Sequence, residues 1–279
     1  MAVTQSTVKS MRQGTKLLLG KYSANKDAEP VPIAWTKATP NGDFIASFAL
    51  DYLCADARER QFRENGTSYM NGGNPLYHLS NIHTFLNSND DEWYSPTHEE
   101  DNAPTSDYRD VNGYGTTYSA HYGFLRHFED YELASVWRQT VEINGIEVCS
   151  QFRLPLSTEI FGQTKFNLFK KGAVRAHPSL DMVNQKQRVT GIDSTAQYAP
   201  YLLADRNEHW SECMNIVDRT GCIYHSSPAQ GCGIRPVCRI KLDAKVEEVE
   251  PGIYKLLPFD FVPMRSVTNE EIREFLGLA

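Results

Sequence analysis

Alternating apolar and polar positions near the start of the chain predict β-strands. Ile33 and Trp35 share one face of a strand, and Asn41-Gly42 predicts a turn into a second strand at residues 44–50. The apolar run at residues 17–19 predicts either a short strand leading into the domain or an arm that docks on a neighbour. A hairpin is therefore expected close to the chain start.

A second hairpin is predicted at residues 141–148. Asn144-Gly145 supplies the two positive-φ positions of a type I′ turn. The same register places Glu142 opposite Glu147. Because like charges directly opposed are unfavourable, that face is expected to be solvated.

The last third of the chain also has a strand-like pattern. Residues 201–203 predict one strand, and a turn at residues 218–221 predicts a hairpin that returns through Tyr224. Alternation over residues 234–242 predicts a strand with Cys238 and Ile240 facing inward. Its outward-facing residues are predicted to be Arg235, Arg239 and Lys241.

Short helices are predicted between these strands. Ser80 is a typical N-cap for a helix that ends at Asn87-Ser88, and further helical turns are expected at residues 123–136 and from Ser157. Thr268 and Glu271 form a capping box that predicts a terminal helix. Residues 88–122 and 162–200 lack periodicity and are expected to be long loops, with Phe166 and Phe169 as apolar anchors. These patterns predict an α+β fold with short antiparallel strands, short helices and long loops.

Charge and composition narrow the classes of partner. The 279 residues fit one large domain, or one domain with extensions, and the formal net charge is −7. Without a basic footprint, nucleic acid is not an expected partner. No apolar segment is long enough to cross a membrane, and residues 1–11 have no secretory pattern, so the chain is expected to fold in a cytoplasm without membrane insertion. The six cysteines include no CxxC pair and are expected to be thiols, without bound zinc.

The order of several short motifs carries a family resemblance. Residues 74–88 resemble an N-x-Y-x-x-S-x-I-x-x-W-L-N-S signature, with Phe85 in place of the tryptophan. Gly-Phe-Leu at residues 123–125, Leu-Pro-Leu-Ser-Thr-Glu at residues 154–159 and Gly-Ile-Arg-Pro at residues 233–236 follow in family order. Over roughly residues 14–242, the chain is similar to a domain family of Gram-positive bacteria and their phages. That family is related to the C-type-lectin-like and formylglycine-generating-enzyme superfold.

The resemblance implies a division of the chain and a set of structural residues. It implies an N-terminal arm at residues 1–30, a C-type-lectin-like domain at residues 31–242, and a C-terminal extension with a short helix at residues 243–279. The structural positions it implies are Trp35, Asn87, Phe124, Gly233 and Arg235. For Arg235 the alternatives are recognition of a ligand carboxylate and, the favoured one, holding a loop in place.

Ligand contacts in lectin-like domains come from one strand–loop region. In this chain that region holds His209, Trp210, Tyr224 and His225, which are predicted to bind a ligand; the alternative is ordinary packing. Calcium-dependent sugar binding is not supported, because the chain has neither a Glu-Pro-Asn triplet nor a Trp-Asn-Asp triplet. His98 and Asp101 suggest a metal site or an acid–base pair, or, as favoured, a loop held by hydrogen bonds.

These observations favour a binding protein over an enzyme. Serine-hydrolase elbows, P-loops and GxGxxG motifs are absent, and no catalytic residue, metal or cofactor is predicted. The expected function is a bacteriophage virion component: a receptor-binding, fibre or tail, or capsid-decoration protein. Its expected partners are other phage structural proteins, a host cell-surface ligand and further copies of itself. A non-viral bacterial binding module and a formylglycine-generating-type enzyme are the alternatives.

Overall fold

A computed structural model describes residues 5–23, 26–27, 29–57, 60–70, 72–94, 118–162, 175–177 and 198–258. Strands predominate in this part of the chain, which confirms an α+β fold rich in β-structure. The strands are β1 (Gln5–Thr7), β2 (Lys16–Tyr22), β3 (Val31–Lys37), β4 (Asp43–Ala46), β5 (Asp51–Cys54), β6 (Arg60–Phe62), β7 (Ser68–Met70), β8 (Val136–Trp137), β9 (Gln139–Ile143), β10 (Ile146–Ser150), β11 (Phe152–Arg153), β12 (Tyr201–Arg206), β13 (Met214–Val217), β14 (Ile223–Ser226), β15 (Gly231–Ile234), β16 (Val237–Ile240), β17 (Lys245–Glu250) and β18 (Ile253–Leu256).

The helices are all short. The α-helices are α1 (Asn81–Asn87), α2 (Asp130–Ser135) and α3 (Ser157–Phe161). Single 3₁₀ turns lie at Val8–Ser10, Tyr77–Leu79, Tyr118–Ala120 and Phe124–His127. As predicted, Ser80 caps α1, its side chain accepting a hydrogen bond from the His83 backbone N–H.

The main sheet has nine strands and curls into a half-barrel. Its order is β1-β17-β18-β2-β3-β4-β16-β11, and β8 also pairs with β16. Every pair in it is antiparallel except β18 with β2. Since β2 pairs with β3, and β17 and β18 pair with β1 and β2, the predicted boundaries at 30/31 and 242/243 both fall inside this sheet.

The described part of the predicted arm contributes directly to the core. Leu17 and Leu19 of β2 are buried, as is Val8 in the first 3₁₀ turn. The buried ammonium group of Lys37 donates hydrogen bonds to the carbonyls of Val8 (2.6 Å) and Met11 (2.9 Å). Residues 5–22 are therefore part of the packed domain, because apolar side chains of this segment are buried in its core and carbonyl groups of this segment accept hydrogen bonds from it.

A second sheet holds β14-β13-β12-β15-β5. Residues 33–50 and 201–242, expected to meet in one antiparallel sheet, are divided between the two sheets: β16 pairs with β4 in the main sheet, whereas β12 to β15 belong to this second sheet, where β12 and β15 are parallel. The continuous strand predicted over residues 234–242 is wrong, because the chain breaks at Arg235-Pro236 between β15 and β16. Proline has no N–H with which to continue a ladder.

Arg235 is buried at this break and does not face outward as the alternation predicted. Its Nε donates to the Ala46 carbonyl at 2.9 Å, and its guanidinium lies 5.2 Å from the centre of the Tyr201 ring. It therefore fastens the end of β4 next to the second sheet. Gly233, two residues earlier, is buried where β15 lies between Tyr52 of β5 and Tyr201 of β12.

An aromatic cluster fills the space between the main sheet and α1. Trp35 is fully buried, its Nε1 donates to the Leu19 carbonyl, and its ring lies 5.6 Å from that of Phe152. Phe124 packs edge-on against Phe152 at 5.2 Å. Asn87 ties α1 to β11, because its amide donates to the Phe152 carbonyl and accepts from the Gln151 N–H.

The predicted hairpin at residues 141–148 is confirmed in register and turn. Asn144 and Gly145 have φ values of 54° and 82°, and Glu142 pairs with Glu147 on an exposed face.

Several other predictions lie outside the described residues: the loop at His98 and Asp101, the anchors Phe166 and Phe169, and the terminal helix at Thr268 to Glu271. Within the described ranges, no helix is long and apolar enough to cross a membrane.

Candidate functional site

Three of the four predicted ligand residues form one exposed stack of rings. The Trp210 and His225 ring centres are 5.7 Å apart with planes inclined by 19°, and those of Tyr224 and His225 are 4.6 Å apart at 20°. His225 is thus the middle ring. Trp210 is 53% exposed and Tyr224 58% exposed, so the two outer rings are not part of the core.

The stack is built on an edge of the second sheet. Tyr224 and His225 belong to β14, the end strand in the sheet order. The turn before β14 is held by Asp218, whose carboxylate accepts from the N–H groups of Thr220 and Cys222, both at 2.9 Å. Burial acts to raise the pKa of Asp218, but these hydrogen bonds outweigh it and lower that pKa. The edge strand is therefore fastened at its start.

Trp210 is positioned by the side chain of Asn207. The Asn207 Oδ1 accepts hydrogen bonds from the backbone N–H groups of His209 and Trp210, both at 3.0 Å. The Trp210 carbonyl in turn accepts from the Cys213 N–H at 2.8 Å. An asparagine that accepts amides two and three residues ahead fixes a tight loop, so the indole sits on a loop of defined shape.

A chain of polar side chains connects this loop to the rest of the domain. Asn207 Nδ2 donates to Asn215 Oδ1 at 2.9 Å, and Asn215 Nδ2 donates to Asp205 Oδ2 at 2.6 Å. The other Asp205 oxygen accepts from the Ser157 N–H at the start of α3, also at 2.6 Å. Asn215 is buried, so this network holds the loop, β13 and α3 together.

A cleft of about 450 Å³ opens beside the stack. Three parts of the chain bound it: residues 142–144 at the tip of the β9–β10 hairpin, residues 156–158 at the start of α3, and residues 205–209. Asn215 and Ile223 complete the lining. His225 pairs across the strands with Asn215, so the middle ring of the stack is a direct neighbour of the cleft lining.

The cleft is predominantly acidic. Its lining has three carboxylates against the single guanidinium of Arg206; the acidic residues are Glu142, Asp205 and Glu208. This balance favours neutral or cationic ligands over anions. No group of three or more metal-ligating side chains occurs among the described residues.

His209, the fourth predicted ligand residue, is exposed and lines the cleft. Four further residues of the site were not among the predicted ligand residues: Asp205, Asn207 and Asn215, which position it, and Asn144 of the hairpin tip, which lines it. A local signal existed only for Asn207, since Asn-Glu-His-Trp is a typical string for an asparagine-capped turn. Asn144 was recognised as a turn residue, but its place in the cleft depends on contacts distant in sequence.

A second cluster of titratable groups is sealed inside the domain. The Asp51 carboxylate accepts a hydrogen bond from the Tyr22 hydroxyl and lies 3.2 Å from Nδ1 of His121. The side chains of Asp51 and His121 are each only 1% exposed. Burial lowers the pKa of His121, although Asp51 acts in the opposite direction. A cluster closed to solvent in this way offers no surface to a ligand.

No protein-family model, curated protein or solved structure matches this chain. The family resemblance therefore stays a prediction.

Proposed function

We propose that this chain is a structural component of a bacteriophage particle that binds a host-surface ligand through the Trp210–His225–Tyr224 stack and the adjoining cleft. The exposed stack is the observation that carries the proposal. Large aromatic side chains held in solvent forfeit the stabilisation that burial would give them, so a fixed exposed set of them is typical of a binding surface.

The stack is also organised before any ligand arrives. Asn207 fixes the Trp210 loop, Asp218 fixes the turn into β14, and the His225 ring packs against both of the other rings. A surface with few side chains left to order loses less entropy on binding. This arrangement suits a protein that must recognise a surface without changing shape.

A lectin-like domain is part of the proposal. It is supported by the order of the family motifs, by the pairing of β4, the second strand of the β3–β4 hairpin, with the late strand β16, and by the packing of α1 against β11. The position of the exposed rings on a strand–loop region late in the chain agrees with where such domains carry ligand contacts.

The virion assignment implies partners and copy number. We propose that the chain assembles with other phage structural proteins and with further copies of itself, because repeated weak sites on one particle gain avidity. The ordered motifs at residues 74–88 and 233–236 support this assignment through the resemblance to a family of phages and their bacterial hosts.

The assignment is tested by quantitative mass spectrometry of purified phage particles from an infected host. The chain should be recovered at a constant ratio to the major capsid protein across gradient fractions, and wild-type protein should bind host cells. A non-structural phage protein from the same lysate is the matched control. If the chain is absent from particles that have been purified until the control protein is no longer detected, the virion assignment is wrong.

A further inference from the structure

We infer that the cleft and the Trp210 indole together form one binding site for an uncharged, hydroxyl-rich saccharide. The inference rests on the proposed binding function and narrows its ligand to one chemical class. Three features of the described residues carry it: the continuity of cleft and stack, the mixture of polar and apolar lining, and the sign of the local charge.

The cleft and the stack are continuous through β13 and β14. His225 pairs across the strands with Asn215, which lines the cleft, and Ile223 at the start of β14 also lines it. Trp210 stacks directly on His225. A ligand in the cleft can therefore extend to the indole without leaving the surface.

The polar lining suits pairs of neighbouring hydroxyl groups. Both Asp205 oxygens accept hydrogen bonds at 2.6 Å, which fixes the carboxylate plane, and each oxygen can accept a further bond. Asn144 Oδ1 accepts from the Arg206 N–H at 3.3 Å, which fixes the amide and leaves its NH₂ group to donate. Fixed planar acceptors and donors recognise hydroxyls, which act as both.

The apolar part of the site suits the C–H face of a sugar ring. The Trp210 indole lies nearly parallel to the His225 ring, with the ring centres 5.7 Å apart, and the residue is still 53% exposed, so indole surface is available to a ligand. An indole face is negative and attracts polarised C–H groups while excluding water from them. A sugar combines an apolar C–H face with hydroxyl groups around its ring, and few other ligands do so.

Charge and size narrow the class further. Three carboxylates against one guanidinium disfavour phosphorylated, sulfated or carboxylated glycans. The volume of about 450 Å³ is in the range of small-ligand pockets. A neutral oligosaccharide meets both conditions, whereas an extended anionic polymer meets neither.

The test is binding of the full chain to an array of neutral hexose and N-acetylhexosamine oligosaccharides, with sulfated and phosphorylated versions and a lysine-rich peptide alongside. Neutral glycans should be bound, and their anionic versions should bind about tenfold more weakly or worse. Trp210→Ala, in the stack, and Asn144→Gly, in the cleft lining, should each weaken glycan binding about tenfold. Trp210→Phe should retain part of it.

Two controls protect this result from a folding artefact. Trp137→Ala removes an indole that is 54% exposed elsewhere, on β8, and should leave glycan binding unchanged. Asn144→Gly keeps a residue that accepts the positive φ of the turn, so its melting temperature should stay close to that of the wild type.

Preference for anionic glycans, binding of the peptide alone, or full glycan binding by both Trp210→Ala and Asn144→Gly would overturn the inference. Host-cell binding measured in parallel separates it from the proposed function. Cells bound without any neutral glycan refute the saccharide but leave the binding function intact. Neutral glycans bound without host cells support the saccharide site and refute the host-surface role.

Discussion

Gly42 and Gly145 both have a left-handed backbone in a hairpin turn, but their surroundings differ. Gly42 has φ +86°, and a Cβ added there would lie 2.4 Å from the Ile240 carbonyl oxygen. Gly145 has φ +82° and no atom within 4 Å of an added Cβ. The Gly42 carbonyl also accepts the Ile240 N–H at 2.8 Å, so the approach of the two backbones is part of the sheet.

We predict that Gly42→Ala destabilises the domain much more than Gly145→Ala. At Gly145 only the backbone preference is violated, at about 1–2 kcal/mol, whereas at Gly42 a backbone carbonyl must also move. Urea unfolding followed by circular dichroism compares the two free energies of unfolding. Equal losses in the two variants would contradict the close approach of β16 to the β3–β4 turn.

One buried histidine, His121, and two half-buried ones, His127 and His83, predict loss of stability in acid. Burial lowers the pKa of His127 from 6.5 to about 4, although its hydrogen bond with the Lys21 carbonyl acts to raise it. Burial also lowers the pKa of His121 and His83. The unfolded chain binds protons at these histidines at a higher pH than the folded chain does. Their contribution to the free energy of unfolding is therefore fully present above about pH 6.5 and is lost as the pH falls from 6.5 to about 4.

We expect the free energy of unfolding to be lower at pH 5 than at pH 7.5, and His127→Gln to reduce that difference. Denaturant unfolding at the two pH values measures it for each variant. His209→Gln, an exposed substitution, is the matched control. If His127→Gln retains the full pH dependence of the wild type, His127 is not one of the groups responsible.

At this scale the sequence was informative where a residue acts on its immediate neighbours. Ser80, Asn144 and Gly145 could be predicted because a cap or a turn depends on two or three adjacent positions. The alternation wrongly predicted that Arg235 faces outward, because its environment comes from Ala46 and Tyr201, which are distant in sequence; only the family resemblance implied a structural role for it. Asp205 and Asn215 were missed for the same reason.

At the scale of elements, α3 is attached to the core by a buried ion pair. Arg153 donates to both Glu159 oxygens, at 2.7 and 2.5 Å, and both side chains are nearly inaccessible. Glu159 also accepts from the Leu156 N–H at 3.0 Å, which closes the first turn of α3. The same turn contributes residues 156–158 to the cleft.

We predict that Glu159→Ala destabilises the protein by about 3–5 kcal/mol, because it leaves a buried guanidinium without its partner. The control is Glu247→Ala, which breaks the Lys255–Glu247 pair at the surface (2.9 Å) and should change the free energy of unfolding very little, because water screens an exposed pair. Thermal and urea unfolding measure both. Similar small losses in the two variants would mean that the Arg153–Glu159 pair is not buried in solution.

Individual hairpins were predictable because their turns and alternation are local. The β9–β10 hairpin has the predicted register, and β13 and β14 return through the predicted turn. The helix predicted after Ser80 has its predicted bounds. The division into two sheets was not predictable, because it depends on the break at Arg235-Pro236. Apolar and polar residues keep alternating through this point and predict one strand, although Pro236 has no backbone N–H to donate.

At the scale of the whole molecule, the first and the last described strands belong to the same sheet. The parallel pair of β18 with β2 joins residues more than two hundred positions apart, and no local pattern encodes such a pairing. An α+β fold could be predicted from the mixture of strand and helix signals, but the order of nine strands could not. Trp210, Tyr224 and His225 were predicted individually; their stacking follows from how β12, β13 and β14 pair.

The central claim is that this stack binds and does not merely pack, and the binding of Trp210→Ala/Tyr224→Ala protein to host cells tests it most directly. The account predicts that the double variant loses host-cell binding, while its melting temperature stays close to that of wild type because both rings are more than half exposed. Trp137→Ala should bind as wild type does. A double variant that unfolds, or that binds cells as well as wild type, would contradict the account.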